Sequence, residues 1–238
     1  MIGVALYCLM ALASSTTETI SEPLPGFLAL GDSYTVGEGL PTPLSWPYQL
    51  HARLQESSTG LAELPPPAVI ARTGWTTDEL SEGITRHTNN AMLPADCYPL
   101  VTLSIGVNDQ YRGRPVEQFE QGFSRLLATA IAFADSDPSR VMVLSIPDWG
   151  QSPFALRQGA DRPQVSQAID LYNTRKRALA AARQVTFIDI TDATRQASWD
   201  DYAADGLHPG EKIYADWVQL VADSAQAALS RPKPCEEP

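Results

Sequence analysis

Five short apolar runs that alternate with helix-forming stretches constrain the fold of this 238-residue chain more than any other feature. The runs lie at residues 27–30, 68–71, 98–105, 141–146 and 185–190, and helices are predicted at 46–55, from 77 onward, at 115–134, at 165–182 and at 209–229. Strands that alternate with helices form a parallel sheet with helices on both faces. The pattern therefore predicts a single α/β domain built on a five-stranded parallel sheet.

The longer connections between these elements are predicted to be loops. Residues 147–163 are predicted to form one long loop, and residues 191–206 are predicted to be irregular. The final helix is predicted to begin at Pro209, because proline is well suited to the first turn of a helix.

The first 25 residues are predicted to be an export signal followed by a polar tether. Residues 2–13 are almost entirely apolar, but they are fewer than the about 20 residues that span a bilayer. They match the apolar core of a secretory signal, and Ala11-Leu12-Ala13 matches a small-residue cleavage site, although no Lys or Arg precedes the run. We expect a secreted or periplasmic protein without stable membrane insertion, with a cytoplasmic location as the alternative.

The net charge of −11 limits the partners that this chain can bind. Nucleic acids and anionic membrane surfaces would repel it. No cysteine or histidine spacing resembles a metal site, and no cofactor is expected. We expect a monomer that acts on a small molecule.

Two of the three cysteines remain if Cys8 is removed with the signal. In an oxidising compartment Cys97 and Cys235 can form a disulfide that joins the body of the protein to its Pro-rich tail. The sequence leaves this pairing and two unpaired thiols as equal alternatives.

Four segments at predicted strand ends carry glycine beside polar residues. They are Gly31-Asp32-Ser33, the segment at Gly74, Gly106-Val107-Asn108-Asp109 and Asp205-Gly206-Leu207-His208-Pro209. The carboxyl ends of parallel strands meet at one edge of the sheet, and ligands bind along that edge. We therefore expect a serine hydroxyl, a glycine amide, an asparagine side chain and an Asp–His pair to converge there.

These are the groups that acyl transfer needs. A serine is a weak nucleophile until a base takes its proton, and a histidine oriented by a carboxylate is the usual base. The Asn108 side chain and backbone N–H groups can stabilise a developing oxyanion. Each residue alone has a structural explanation, since Ser33 can cap a helix and Asn108 can form a turn.

In this combination and order, the chain resembles the SGNH hydrolases, also called the GDSL esterase/lipase family. The four marker residues of that family match Ser33, Gly74, Asn108 and His208, and its Asp-x-x-His element matches Asp205 to His208. The resemblance covers residues 27–229. It implies a flavodoxin-like, three-layer α/β/α sandwich, with the hydrolase domain at 26–230 and a Pro-rich tail at 231–238.

The resemblance also implies roles for individual residues. Ser33 would attack an ester carbonyl and form an acyl-enzyme, with His208 as general base and then general acid, and with Asp205 orienting the His208 ring. The oxyanion hole would consist of the N–H groups of Ser33 and Gly74 and the side-chain amide of Asn108. The other candidates have weaker signals. His51, on the helix at 46–55, is predicted to face solvent or to pack, and His87 lies in a polar stretch with no carboxylate at useful spacing. Asp32 and Asp109 are predicted to accept hydrogen bonds in their own loops.

The substrate is less constrained by the sequence. The loops that would shape its site, at 40–67, 83–99, 147–163 and 191–204, carry Trp149, Phe154, Trp199 and Tyr202, which would line an acyl or sugar pocket or else belong to the core. The acidic composition and the lack of an amphipathic lid favour a small soluble ester or an acetylated carbohydrate. The alternatives are a lysophospholipase or thioesterase of the same family, and a catalytically silent carbohydrate-binding module on the same fold.

Overall fold

The computed structural model describes residues 26–56, 61–90, 92–93 and 97–231. In this part of the chain five strands form one parallel sheet: β1 Leu28–Gly31, β2 Ala68–Ala71, β3 Val101–Ser104, β4 Val141–Leu144 and β5 Thr186–Ile188. Their order across the sheet is β2-β1-β3-β4-β5, which is the flavodoxin-like order. The predicted export segment lies outside the described residues, and so does all but the first residue of the predicted tail.

The helices cover both faces of this sheet. They are α1 Ser33–Val36, α2 Trp46–Gln55, α3 Thr77–Asn89, α4 Val107–Tyr111, α5 Val116–Phe133, α6 Pro153–Arg157, α7 Arg162–Ala182, α8 Thr191–Gln196 and α9 Glu211–Leu229. Helices α2 and α9 pack against each other on one face, while α3, α5 and α7 form a continuous layer on the other. The predicted three-layer α/β/α sandwich is therefore confirmed.

The direction of the crossovers explains why the helices divide between two faces. The chain moves from β1 to β2 in one direction along the sheet, and then passes β1 to reach β3, β4 and β5 in the other direction. Because crossovers between parallel strands share one hand, reversing their direction moves the connecting helix to the opposite face. The reversal leaves the carboxyl ends of β1 and β3 side by side, with no crossover helix between them.

Burial on both faces accounts for the apolar strands. Every residue of β1, β3 and β4 is buried, as expected for central strands covered by helices on each side. Helix α5 presents Phe119, Phe123 and Leu127 to this core, and α9 presents Trp217, all of them fully buried. The apolar stripe predicted on the helix at 115–134 is thus the face that packs on the sheet.

Two segments that were predicted to be loops contain short helices. The segment at 147–163 forms a 3₁₀ turn at Trp149–Gln151 and α6, and the segment at 191–206 forms α8 and a 3₁₀ turn at Trp199–Asp201. The prediction was wrong because one or two turns are too short to show helical periodicity. A local signal exists for α6, since Ser152 caps it by accepting a hydrogen bond from the Ala155 N–H at 3.1 Å, ahead of Pro153.

The ends of two further elements differ from the prediction. Helix α9 begins at Glu211 after the N-cap Gly210, so Pro209 precedes the helix and instead forms an isolated antiparallel bridge with Tyr202. The third strand is shorter than the apolar run at 98–105, and the residues after it turn at once into α4, which the sequence did not reveal.

Two further findings concern membrane-spanning helices and the cysteines. Within the described ranges, no helix combines the length and the apolar character needed to cross a membrane. Cys97 is disulfide-bonded, which agrees with the first of the two alternatives for the thiols. Cys235 lies outside the described residues, so its pairing with Cys97 stays a prediction.

The start of α3 is held by a reciprocal capping box. The Thr76 N–H donates to Glu79 Oε2 at 2.8 Å, and the Glu79 N–H donates to Thr76 Oγ1 at 3.5 Å. Both bonds satisfy N–H groups that the first turn of a helix leaves without partners.

We expect Thr76→Ala to lower the free energy of unfolding by about 0.5–2 kcal/mol, because the substitution removes the N-cap acceptor. The measurement is urea denaturation followed by circular dichroism. The control is Thr85→Ala, which removes an exposed hydroxyl that donates to the Ser81 carbonyl inside the same helix. Equal destabilisation by the two variants would contradict the capping role.

Candidate active site

Ser33 lies immediately beyond β1, at the first position of α1. Asp32 is the N-cap of this helix, and its Oδ1 accepts a hydrogen bond from the Tyr34 N–H at 3.0 Å. The turn must be tight, since a Cβ on Gly31 would lie 2.5 Å from the Ser104 carbonyl oxygen. Gly31 therefore lets β1 approach β3 closely, directly before the serine.

Asp205 and His208 form a hydrogen-bonded pair in the loop before α9. The distance from His208 Nδ1 to Asp205 Oδ2 is 2.6 Å, and Oδ1 of the same carboxylate accepts from the N–H groups of Leu207 at 2.8 Å and His208 at 3.0 Å. Partial burial acts to raise the pKa of Asp205, but these hydrogen bonds outweigh burial and lower it. An ionised carboxylate only accepts, so Nδ1 carries the proton and the neutral ring offers Nε2 as an acceptor.

Aromatic packing and loop contacts fix the position of the His208 ring. The ring centroid of Tyr34 lies 5.5 Å from that of His208, and Trp217 lies 6.1 Å behind Tyr34. The loop itself is held by α6, because the Phe154 N–H donates to the Gly206 carbonyl at 2.9 Å and the Arg157 guanidinium donates to the Asp205 carbonyl. The helix that sequence analysis missed thus supports the Asp–His pair.

Asn108 and Gly74 lie in two segments that are joined by hydrogen bonds. The Asn108 Nδ2 donates to the Trp75 carbonyl at 2.9 Å, which leaves the second hydrogen of this amide for a ligand. Gly74 has a φ of +84°, a backbone conformation that favours glycine, and its carbonyl accepts from Arg112 Nη2 at 2.6 Å. Helix α4 and the residue after it therefore hold the segment that contains Gly74.

Ser33, Asn108 and His208 line one cavity of about 150 Å³. Its other walls are Tyr34, Val107, Tyr111, Trp149 and Leu207. Ser33 after β1 and Asn108 after β3 therefore meet His208, from the loop before α9, at the place where the strand order reverses.

The four aromatic residues proposed from the sequence for substrate binding lie in different places. Trp149 is a wall of the cavity, with its indole N–H donating to Gln110 Oε1 at 2.8 Å and its ring centroid 5.1 Å from that of Tyr111. Phe154 packs behind Trp149 at 6.5 Å. Tyr202 lines a shallower neighbouring groove of about 560 Å³, and Trp199 is half exposed on its 3₁₀ turn.

Sequence reasoning did not identify Tyr111, Val107 and Leu207 as walls of the cavity. Tyr111 is 55% exposed, so its ring is available to a ligand at the mouth. All three are within three residues of Asn108 or His208 along the chain. Proximity to those residues was the available signal, but the direction of each side chain depends on the unpredicted α4 and on the tight loop at 205–208.

The carboxylates beside Ser33 and Asn108 have structural partners. Asp32 serves its own turn, as expected, and burial raises its pKa to about 7. Asp109 does more than serve its own loop, because it accepts from the Thr77 N–H at 2.9 Å and from the Thr77 hydroxyl at 2.8 Å, which joins α4 to α3. Burial also raises the pKa of Asp109.

The two other histidines bind backbone carbonyls. His51 Nε2 lies 2.8 Å from the Leu64 carbonyl oxygen, and His87 Nδ1 lies 2.8 Å from the Gly83 carbonyl oxygen within α3. Neither ring lines the cavity at Ser33. Among the residues that the structure describes, no group of three or more His, Cys, Asp and Glu side chains is placed to hold a metal ion.

Residues 29–215 match the family model described as the GDSL-like lipase/acylhydrolase family. The chain belongs to this family. It is therefore a hydrolase of the GDSL, or SGNH, type that acts on ester bonds. The recognition of the family from Ser33, Gly74, Asn108 and His208 is confirmed. None of the curated proteins matches this sequence.

Solved structures of a lipolytic G-D-S-L protein and of two esterases share the fold at low sequence identity. A member of the lipolytic G-D-S-L family from Veillonella parvula is 17% identical, with a TM-score of 0.63 over 83% of this chain and 96% of the other. A psychrotrophic esterase from a Pseudoalteromonas species, inhibited by monoethylphosphonate, is 18% identical with a TM-score of 0.59, over 86% and 98% of the two chains. A catalytic mutant of an acetylxylan esterase from Geobacillus stearothermophilus is 14% identical with a TM-score of 0.61, over 85% and 93%.

Proposed function

We propose that this GDSL hydrolase cleaves its ester substrate through an acyl-enzyme on Ser33. Ser33 Oγ attacks the carbonyl carbon while His208 Nε2 takes the hydroxyl proton. The resulting tetrahedral intermediate collapses, the C–O bond to the alcohol breaks, and His208 returns the proton to the leaving oxygen. Water then attacks the acyl-enzyme in the same way and releases the carboxylic acid and the free serine.

The placement of Ser33, Asn108 and His208 around one cavity is the observation that carries this proposal. The 2.6 Å bond from His208 to Asp205 supports the role of Asp205 as the group that orients the imidazole. The second hydrogen of the Asn108 amide, with the N–H groups of Ser33 and Gly74, would form the oxyanion hole. An orienting carboxylate, a base and a serine together also argue against a silent binding module, which has no use for the combination.

The size of the cavity favours a small acyl group. Sites for drug-sized ligands usually measure about 300–1,000 Å³, whereas this cavity measures about 150 Å³. Trp149 is buried and held by Gln110, so it forms a fixed wall. We propose a small soluble ester or an acetylated carbohydrate as substrate, with the acyl group inside and the alcohol at the open mouth beside Tyr111.

We also propose a domain and a location for this activity. The hydrolase domain extends over residues 26–230, which the family match over 29–215 supports. Residues 1–25 direct export, and the disulfide-bonded Cys97 supports this proposal because disulfides persist in oxidising compartments. The monomeric state stays a prediction.

Substitution of the proposed residues tests the mechanism. On p-nitrophenyl acetate we expect Ser33→Ala to abolish turnover and labelling by a fluorophosphonate, and His208→Ala to be nearly as severe. Asn108→Ala should lower kcat by about 10²–10³ and still permit labelling, as expected for the loss of one oxyanion donor. Asp205→Asn should lower kcat by up to about 10⁴, because it can select the wrong imidazole tautomer.

His87→Ala is the matched control for the histidine variant. Its ring bonds only within α3 among the contacts described, so near-normal kcat/KM is expected. Circular dichroism establishes that each variant is folded. A folded Ser33→Ala protein with normal activity, or a loss in His87→Ala as large as in His208→Ala, would refute the assignment.

A series of p-nitrophenyl esters from acetate to octanoate tests the size of the acyl group. We expect kcat/KM to fall as the chain lengthens, because the wall at Trp149 stops it. Trp149→Ala should reduce the preference for acetate over octanoate by at least about tenfold, since one or two methylene groups are worth about 1–3 kcal/mol in a pocket. Trp199→Ala is the control, and a wild-type preference for octanoate would favour the lysophospholipase or thioesterase alternative.

A further inference from the structure

Lys176 is a fully buried lysine on α7 that the proposed chemistry does not use. Its ammonium donates to the carbonyl oxygens of Leu144 at 2.7 Å and Ile105 at 2.9 Å. Lysine is almost never fully buried unless it is paired, so this position requires a reason.

The two carbonyls lie at the carboxyl ends of neighbouring strands. The parallel pairing of β3 with β4 extends as far as Leu103 and Val143. Leu144 is the residue after Val143, and Ile105 is the residue that follows β3, so Lys176 joins the two strand ends where their ladder has stopped. Ile105 is followed by Gly106, the N-cap of α4, and Asn108 is the second residue of that helix.

Asn173, one turn earlier on α7, binds the backbone of Ile146, two residues beyond the end of β4. Its Oδ1 accepts from the Ile146 N–H at 2.7 Å, and its Nδ2 donates to the Ile146 carbonyl at 3.0 Å. Helix α7 therefore presents two polar side chains to strand ends, and Lys176 is the one that reaches both β3 and β4.

Two carboxylates beside the proposed site act on Lys176 electrostatically. Burial lowers the pKa of Lys176 to about 7, while Asp32, Asp109 and Asp189 act to raise it. Asp32 and Asp109 are next to Ser33 and Asn108 in the chain, and Lys176 Nζ lies 5.3 Å from the Phe123 ring centroid.

We propose that Lys176 is a positioning residue for the oxyanion hole: it holds the ends of β3 and β4 together and so sets the place of Asn108 relative to Ser33. This inference rests on the proposed function. A methionine at this position has similar length but donates nothing, which leaves two buried carbonyls without their partner. The turn at 105–108 would then relax, and misplacement by about 1 Å can cost about 10² in rate.

The test measures kcat and KM of Lys176→Met on p-nitrophenyl acetate, per active site titrated with a fluorophosphonate. Titration counts only protein with a reactive Ser33, so a lower yield of folded protein does not affect kcat. We expect kcat to fall about 10- to 100-fold with KM within about threefold, as for an interaction that acts in the transition state. Arg177→Met, an exposed neighbour on α7, is the control and should keep both constants.

A double-mutant cycle with Asn108→Ala separates an effect of Lys176 on the position of Asn108 from a loss of activity that does not depend on Asn108. If Lys176 acts through Asn108, then Lys176→Met should cost less than about threefold in the Asn108→Ala background. An equal loss in both backgrounds, or a kcat per titrated site within about twofold of wild type in the single variant, would overturn the inference.

Two further outcomes are decided by the same measurements. If Lys176→Met has no titratable sites, Lys176→Gln is measured by the same criteria, because glutamine retains an N–H donor. Loss of titratable sites in both variants overturns the inference in favour of a purely structural lysine. A wild-type protein that neither hydrolyses the ester nor reacts with the fluorophosphonate would instead refute the proposed function, and it is recognised without any variant.

Discussion

The parallel pairing of β1 with both β2 and β3 is the constraint on which the rest of this structure depends. Leu28 lies opposite Ala68 on one side and opposite Val101 on the other. β1 therefore lies between β2, which the chain reaches in one direction along the sheet, and β3, which it reaches in the other. Close approach at its end requires Gly31, because a side chain there would collide with the Ser104 carbonyl. The reversal of direction leaves a crevice at the carboxyl end of β1, and Ser33, two residues after β1, lines it.

The crevice brings polar groups into a region that is otherwise apolar. An uncompensated buried charge costs several kcal/mol, so each one here needs a partner. Asp109 has Thr77 and also Arg114 at 3.4 Å, Asp32 has the Tyr34 N–H, and Lys176 has two strand-end carbonyls. Of these contacts, those of Asp109 join α4 to α3, and those of Lys176 join α7 to the ends of β3 and β4. They therefore hold the carboxyl edge of the sheet, where the proposed acyl transfer requires rigid donors.

The sequence predicted the parts of the site whose signal is local. Gly31-Asp32-Ser33 after one apolar run and Gly106-Val107-Asn108 after another were recognisable, because glycine interrupts a strand. Asp205 three residues before His208 was recognisable by its spacing. Helices α4 and α6 were not recognisable, since they are single turns or little more. Their absence from the prediction hid the wall at Tyr111 and the support that Arg157 gives to the Asp205 loop.

By itself the sequence determined the α/β class, the parallel sheet and the identity of the converging residues, because alternating apolar periods and strand-end glycines are properties of the chain read in order. Only the tertiary structure decided how large the cavity is, that Trp149 rather than Trp199 forms its wall, and that Lys176 is buried at the ends of β3 and β4. In the sequence Lys176 looks like any charged residue of an amphipathic helix. Its burial depends on the carbonyls of Ile105 and Leu144, which come together only when β3 and β4 end side by side.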